Sequence, residues 1–399
     1  MYKVVYLFIF LLFSFVYSIN IYKMDTINDV DAYYLDNFSE CNGLIVCSNH
    51  GNEPLAYEVV KEVLFNSSDY FSKDFNYCIV LQPSKYRIAN RKRTTFEGLD
   101  PNRTFINLFS NSSVFIVSVI KKYKPVFIID IHQAKRENVD FMYSFGDFCK
   151  VMLNIYKVDE FYGISESKIY TPSFYSLKSL QKELEDQSVQ LFMSKGFKVG
   201  KYVPLNRDES YSAVSILRNY GAASGIFSVL FELPYSGNNF QVLRVILKDY
   251  LELMSKNQNK LKDYVQISKK VEGEYFHSRY FLVPLNYDAF EKLVNFIDLF
   301  GIDHYLTLEN SNVFENVWQF GINKIQIKDV PEFKNFVYLS LDVNIKKVKL
   351  NMVSCLIKGS VISSFILNPI YGESVWNFSV FPYSKNYLPI YITLDGKNN

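Results

Sequence analysis

From residue 43 to residue 254, short uninterrupted apolar runs alternate with segments whose apolar residues recur at helical spacing. That alternation restricts the fold more than any other feature of the chain. The runs at 44–47, 78–81, 126–131 and 227–233 are of strand length and lack the alternate polar positions of a sheet with one wet face. Each is therefore expected to be buried on both sides. Between them, Leu55, Val59, Val60, Val63 and Leu64 share one helical face opposite Glu58, Lys61 and Glu62. A second helix repeats Leu177, Leu180, Leu184 and Leu191 before a stop at Gly196, and a third spans about 240–254. Strands alternating with helices predict an α/β sandwich around a mixed sheet.

The pattern changes at Ser255-Lys-Asn-Gln-Asn-Lys260, a polar stretch that reads as a boundary. Beyond it, 288–300 is helical with Gly301 at its end. Val337, Leu339, Leu341, Val343 and Ile345 then alternate strictly with polar or aromatic neighbours, as in an antiparallel strand with one buried face. The organisation expected is an α/β catalytic-sized domain at 19–255, a small mixed α+β domain at 256–334, and a C-terminal all-β, sandwich-like domain at 335–399. Residues 1–18 read as a cleaved signal peptide, with Lys3 ahead of an apolar run at 4–16 and Ser18 at the cleavage site. That run is shorter than the ~20 residues a spanning helix needs, so no membrane span is expected after cleavage.

Charge and cysteine usage narrow the function. Lysine plus arginine number 43 against 41 acidic residues, a net charge of +2, with no basic block. Binding of nucleic acid through bulk phosphate attraction is thereby excluded. The 5 cysteines are odd in number and widely spaced, with no C-x-x-C pair, so neither a disulfide framework nor a thiolate zinc site is expected. Export without disulfides fits a bacterial envelope, and the expected location is the periplasm.

The chemistry gathers around two of the 4 histidines. His50 follows the first buried run and precedes Glu53 by three residues, a spacing that lets a turn entering a helix aim both at one point. His132 closes the run 126–131, two residues after Asp130. Ends of strands are where ligands collect in open α/β sheets. Two histidines and one carboxylate leave an open position on zinc, the arrangement of a catalytic rather than a structural site. Arg91 and Arg93 lead into Gly98-Leu-Asp-Pro-Asn-Arg103, whose guanidinium groups and Asn102 can hold a carboxylate. Glu232 is the one carboxylate within the apolar run 227–233, a place that demands either a cation or proton work.

In this order, His-x-x-Glu, an arginine ahead of Asn-Arg, Asp-Ile-His and Phe-Glu-Leu resemble the zinc carboxypeptidases of the carboxypeptidase A family over roughly residues 43 to 237. The resemblance implies zinc on His50, Glu53 and His132. It also implies Glu232 as general base, a carboxylate clamp of Asn102 and Arg103, and Arg93, or alternatively Arg91, as the group that polarises the scissile carbonyl. The family's substrate-contacting tyrosine lies upstream of the base, and both Tyr211 and Tyr220 match that position.

Aspartoacylase and succinylglutamate desuccinylase share much of this set, so an N-acyl-amino-acid deacylase is the rival reading. The export signal and Phe231-Glu-Leu favour the peptidase side. The layout is similar to the D,L-carboxypeptidases that trim murein peptides in helical Gram-negative bacteria and so determine cell shape. That likeness implies a peptidoglycan stem peptide as substrate, cut before a terminal meso-diaminopimelate. A non-catalytic exported protein that binds peptide ends is the third reading.

Overall fold

The computed structural model describes residues 20–24, 30–67, 70–82, 91–95, 99–106, 108, 110–134, 138–164, 167–202, 214–235, 239–284, 290–306, 313–329, 337–351, 354–367 and 387–393. The expected signal peptide lies outside them. Among the described residues, no helix is long and apolar enough to cross a membrane.

The strands β1 (Asn20–Lys23), β2 (Asp31–Asp36), β3 (Asn42–Cys47), β4 (Asn76–Gln82), β5 (Phe127–Ala134), β6 (Phe141–Phe145), β7 (Val199–Lys201) and β8 (Phe227–Pro234) form one sheet in the order β1-β2-β4-β3-β5-β8-β6-β7. Its centre, β4-β3-β5-β8, is parallel, and β2 and β6 join it antiparallel. Every residue of β8 is buried, as are all of β5 but its last, which is why these strands read as continuous apolar runs. A Cβ on Gly43 would lie 2.4 Å from the Phe127 ring, so glycine is what lets β3 close on β5.

Two crossovers create the site. The chain leaves β3 through α1 (Pro54–Asn66) to β4 on one side, then returns through α2 (Asn111–Tyr123) to β5 on the other side of β3. Parallel crossovers are right-handed, so these opposite steps place α1 and α2 on opposite faces of the sheet. The crevice beyond the carboxyl ends of β3 and β5 is thus a topological switch point, where open α/β sheets bind ligands. The α/β architecture with a mixed sheet agrees with the sequence reading.

The remaining helices of this part are α3 (Phe148–Tyr162), α4 (Pro172–Met193), α5 (Leu217–Ala223), α6 (Asn239–Lys256) and α7 (Gln258–Phe276). Helix α4 begins a turn earlier than its leucines suggest, with Pro172 in its first turn and Thr171 accepting from the Phe174 amide as N-cap. Helix α7 corrects the boundary expected at residue 255. Only Asn257 separates it from α6, and it packs against α4 and β8 rather than opening a second domain. Near its end, the buried Arg279 lies 2.7 Å from Asp159 of α3, and the Tyr275 hydroxyl donates to the same carboxylate oxygen.

A second sheet follows, built from β9 (Tyr280–Pro284), β10 (His304–Leu306), β11 (Val313–Asp329), β12 (Val337–Asn351), β13 (Ser354–Lys358) and β14 (Tyr387–Thr393). It is antiparallel throughout, in the order β10-β13-β9-β14-β11-β12, with helices α8 (Phe290–Phe300) and α9 (Val361–Leu367) in its connections. The division expected at 334/335 falls between β11 and β12, which pair from Val313↔Asn351 to Asp329↔Val337. The described strands on both sides of that point therefore belong to one sheet, not to a mixed domain and a separate sandwich. Strict alternation marks a strand but does not reveal its partner.

Candidate metal centre

Strand β3 ends at Cys47, and Ser48 turns the chain with a left-handed φ of 52°, a conformation worth about 1 kcal/mol of strain in a residue other than glycine. The Ser48 hydroxyl compensates locally by donating to the Glu53 carbonyl at 2.7 Å, while the Tyr57 amide donates back to it. The Glu53 amide donates to the His50 carbonyl, closing a turn that leaves Glu53 as the residue before Pro54 and α1. From β5, the Gln133 side chain accepts from the Leu55 amide, and the Gln133 amide donates to Glu53 Oε2. The end of β5 and the start of α1 are thus bolted together, and His50, Glu53 and His132 are all buried.

His50 Nδ1 lies 2.7 Å from Glu53 Oε1, and His132 Nδ1 lies 2.8 Å from Glu53 Oε2. The outer ring nitrogens each meet another carboxylate: His50 Nε2 is 2.9 Å from Asp100, and His132 Nε2 is 2.9 Å from Asp130. Ionised carboxylates accept only; with a cation held between the Nδ1 atoms and Glu53, each Nδ1 would turn its lone pair to it and each Nε2 would keep its proton for Asp100 or Asp130. The three inward-facing groups lie within 4.8 Å of one another and can hold a metal ion. The outer carboxylates fix both imidazole tautomers, as around ligating histidines generally.

The electrostatics follow from this geometry. Burial alone would raise the Glu53 and Asp100 carboxyls, but the histidines beside them, and for Asp100 also Arg103 and Arg93, bring both well below the ordinary range. Burial opposes charge on His132, yet Asp130 and Glu53 raise it well above an ordinary histidine. Glu232 differs from its neighbours. On β8 it stands in register with His132 on β5, and burial, opposed by His132 and reinforced by Glu53, pushes its carboxyl up to about 7. A carboxyl poised there takes up or gives up a proton near neutrality, as a general base must.

Among the other expected site residues, Arg93 grips Asp100 through Nε at 3.1 Å and through a terminal nitrogen at 2.8 Å, and lies 3.7 Å from Glu53. Its side chain is 45% exposed. Asn102 is buried, its Oδ1 accepting from the Leu217 amide and its Nδ2 lying 3.1 Å from His132 Nε2. Its carbonyl oxygen is thereby committed to the backbone, and its amide nitrogen packs beside His132. Arg103, half-buried, donates to the Asn102 carbonyl at 2.9 Å. Arg91 is exposed, with a left-handed φ of 47°, and no described contact joins it to the cluster. Tyr220 is not brought to the site: it is a buried core ring against Phe105 and Phe300, so that half of the tyrosine expectation is corrected. Every residue of α5 is buried, which explains why. Tyr211 lies outside the described residues. The sequence reading missed Asp100 as a partner of His50, although its place two residues before Asn102 was a usable signal. It also missed Tyr235, whose hydroxyl accepts from Asn52 at 3.1 Å.

The cluster can hold a metal ion, with the raised Glu232 carboxyl on the neighbouring strand. No protein-family model and no curated protein sequence matches the chain. Solved structures do resemble it. A metallo-carboxypeptidase from Pseudomonas aeruginosa, in complex with (2-guanidinoethylmercapto)succinic acid, is 12% identical with a TM-score of 0.45 over 60% of this chain and 65% of that one. A succinylglutamate desuccinylase/aspartoacylase from Rhodobacter sphaeroides is 14% identical, with a TM-score of 0.36 over 57% and 58%. The murein-tripeptide amidase MpaA from Escherichia coli O157 is 10% identical, with a TM-score of 0.33 over 55% and 86%. The match thus spans just under two thirds of the first of these proteins.

Proposed function

We propose that the chain is an exported, zinc-dependent carboxypeptidase that acts on peptides with a free terminal carboxylate. Its substrate is a peptidoglycan stem peptide, and the reaction is D,L-carboxypeptidase release of a terminal meso-diaminopimelate in the periplasm. The observation that carries the catalytic part is Glu232, a buried carboxyl raised to about 7 and in register with His132 of the metal cluster. A protein that only binds peptide ends has no need of a proton acceptor there. The donor set of two imidazoles and one carboxylate fits zinc with an open position. Zinc bound there supplies Lewis acidity toward a carbonyl oxygen and toward water.

The chain's own residues do the rest. Glu232 takes a proton from the attacking water and returns it to the leaving amine nitrogen. Arg103 meets the substrate's terminal carboxylate, and Arg93 faces the oxygen on which negative charge builds up. Asp100 and Asp130 hold the two imidazoles in the tautomer that turns Nδ1 inward.

Mass spectrometry of digests with zinc-loaded protein tests this directly, with murein tripeptide and N-acetylaspartate offered side by side. Loss of the terminal diaminopimelate from the tripeptide is the expected result. Cleavage of N-acetylaspartate alone would move the chain to the deacylase reading, and cleavage of neither would leave a binding protein.

The raised carboxyl also sets a pH dependence in the metal-free protein. Between the unfolded value near 4.5 and the folded value near 7, native Glu232 holds a proton that the unfolded chain has released. Its contribution to stability is therefore lost as pH rises through that window, a change on the order of 3 kcal/mol. After chelation, Glu232→Gln should gain on the wild type in urea denaturation between pH 4 and pH 8. A constant difference across that range would show that Glu232 titrates normally.

A further inference from the structure

We propose that Tyr235 contacts the substrate: its hydroxyl, held by Asn52, donates a hydrogen bond to the carbonyl oxygen of a second amide, next to the amide that is cut. The inference rests on the hydrolase reading above and adds a substrate class to it, a peptide with at least two amide bonds rather than an N-acylated amino acid with one.

Tyr235 follows β8 directly, three residues after Glu232. The strand's exit is pinned by the Asn239 side chain, which donates to the Pro234 carbonyl. Asn52 sits in the turn between His50 and Glu53, and its Nδ2 donates to the Tyr235 hydroxyl at 3.1 Å, joining segments 183 residues apart. The turn that carries His50 and Glu53 and the end of the strand that carries Glu232 therefore meet at this pair. Unlike Tyr220, Tyr250 and Tyr264, which are buried in the core, Tyr235 is 43% exposed, so packing does not account for its place.

The accounting of donors points outward. A phenol oxygen that accepts from Asn52 keeps its own hydrogen for another partner. Among the described residues no acceptor receives it. Asn52 is also held at a cost, because its Oδ1 is buried with no hydrogen-bond partner among the described residues. Glu53, Arg93 and Glu232 all lie close enough for their charges to act on the Tyr235 hydroxyl. Burial first, then the two carboxylates against Arg93, push it up to about 12. The group is therefore a neutral donor at any pH at which the site works.

That neutrality selects the acceptor. In the reading above, the terminal carboxylate of a peptide is met by Arg103 and the reacting oxygen by Arg93. A neutral hydroxyl beside two carboxylates suits an uncharged oxygen, and the next such oxygen along a peptide is the carbonyl of the preceding amide.

The test uses full-length, zinc-loaded protein and two substrates with the same terminal residue Xaa, whichever the wild type releases: N-acetyl-Ala-Xaa and N-acetyl-Xaa. Tyr235→Phe should lower kcat/KM on the two-amide substrate about tenfold or more and change the one-amide substrate less than about twofold. In the Glu232→Gln background, calorimetry should show N-acetyl-Ala-Xaa binding about tenfold more weakly when Tyr235→Phe is added. Zinc content should be the same in all variants. Equal losses on both substrates would mean a structural role, and no loss on either would mean no contact; each overturns the inference while leaving the hydrolase reading intact. If the wild type cleaves neither substrate and Glu232→Gln binds neither, the hydrolase reading fails and the inference fails with it.

Discussion

Glu232→Gln is expected to bind zinc as the wild type does and to lose roughly 10²–10⁴-fold in turnover, the usual contribution of a positioned acid–base group. The substitution keeps the size of the side chain and removes only its ability to take a proton. Glu232 is not among the three groups that face one another at the cluster, so metal content should not change. The fold should tolerate the amide well, because the native carboxyl is already half protonated near pH 7. Measured turnover close to wild type, with zinc in place, would remove Glu232 from the reaction.

His132→Ala is expected to lose both metal and activity. The imidazole supplies one of two nitrogen donors, and its removal leaves Glu53 Oε2, Asp130 and Asn102 without their shared partner in a buried place. A milder variant separates loss of metal from loss of fold. Asp130→Asn removes the charge that fixes the His132 tautomer and should weaken zinc binding about 10–100-fold while the chain still folds. Zinc titrations followed by elemental analysis report both effects. Unchanged stoichiometry in His132→Ala would show that the ligands lie elsewhere.

Much of the site was legible because burial writes itself into sequence. The apolar runs that became β3, β5 and β8 mark strands covered on both faces, and a His or Glu at the end of such a run has few innocent explanations. Asp100 and Asn102 were harder to assign, because nothing in a linear motif tells a substrate clamp from a support for His132. That distinction depends on the Leu217 amide, which occupies Asn102 Oδ1 from a segment 115 residues away. Tyr220 and Tyr235 show the same limit from the other side. One is core and the other stands 43% exposed beside the turn of Asn52, and a chain with 31 tyrosines does not announce which is which.

The errors of organisation also have physical causes. Helix α7 was hidden by its polar surface, although Leu261, Tyr264, Ser268, Val271 and Tyr275 bury one helical stripe. The polar residues at 255–260 mark where two helices meet, not a linker: among them only Lys256 and Asn259 are exposed, and Asn257 is buried and donates to Gln187 of α4. The β11–β12 pair was divided because alternation reveals a strand's faces while its partner is chosen by long-range register.

Zinc titrated into the chelated protein, with release of the terminal residue from murein tripeptide read at each point, tests the central claim most directly. The account requires release to be absent without zinc, to rise linearly, and to stop rising at one equivalent per chain. Release that is independent of zinc, or none at one equivalent of bound zinc, would contradict it.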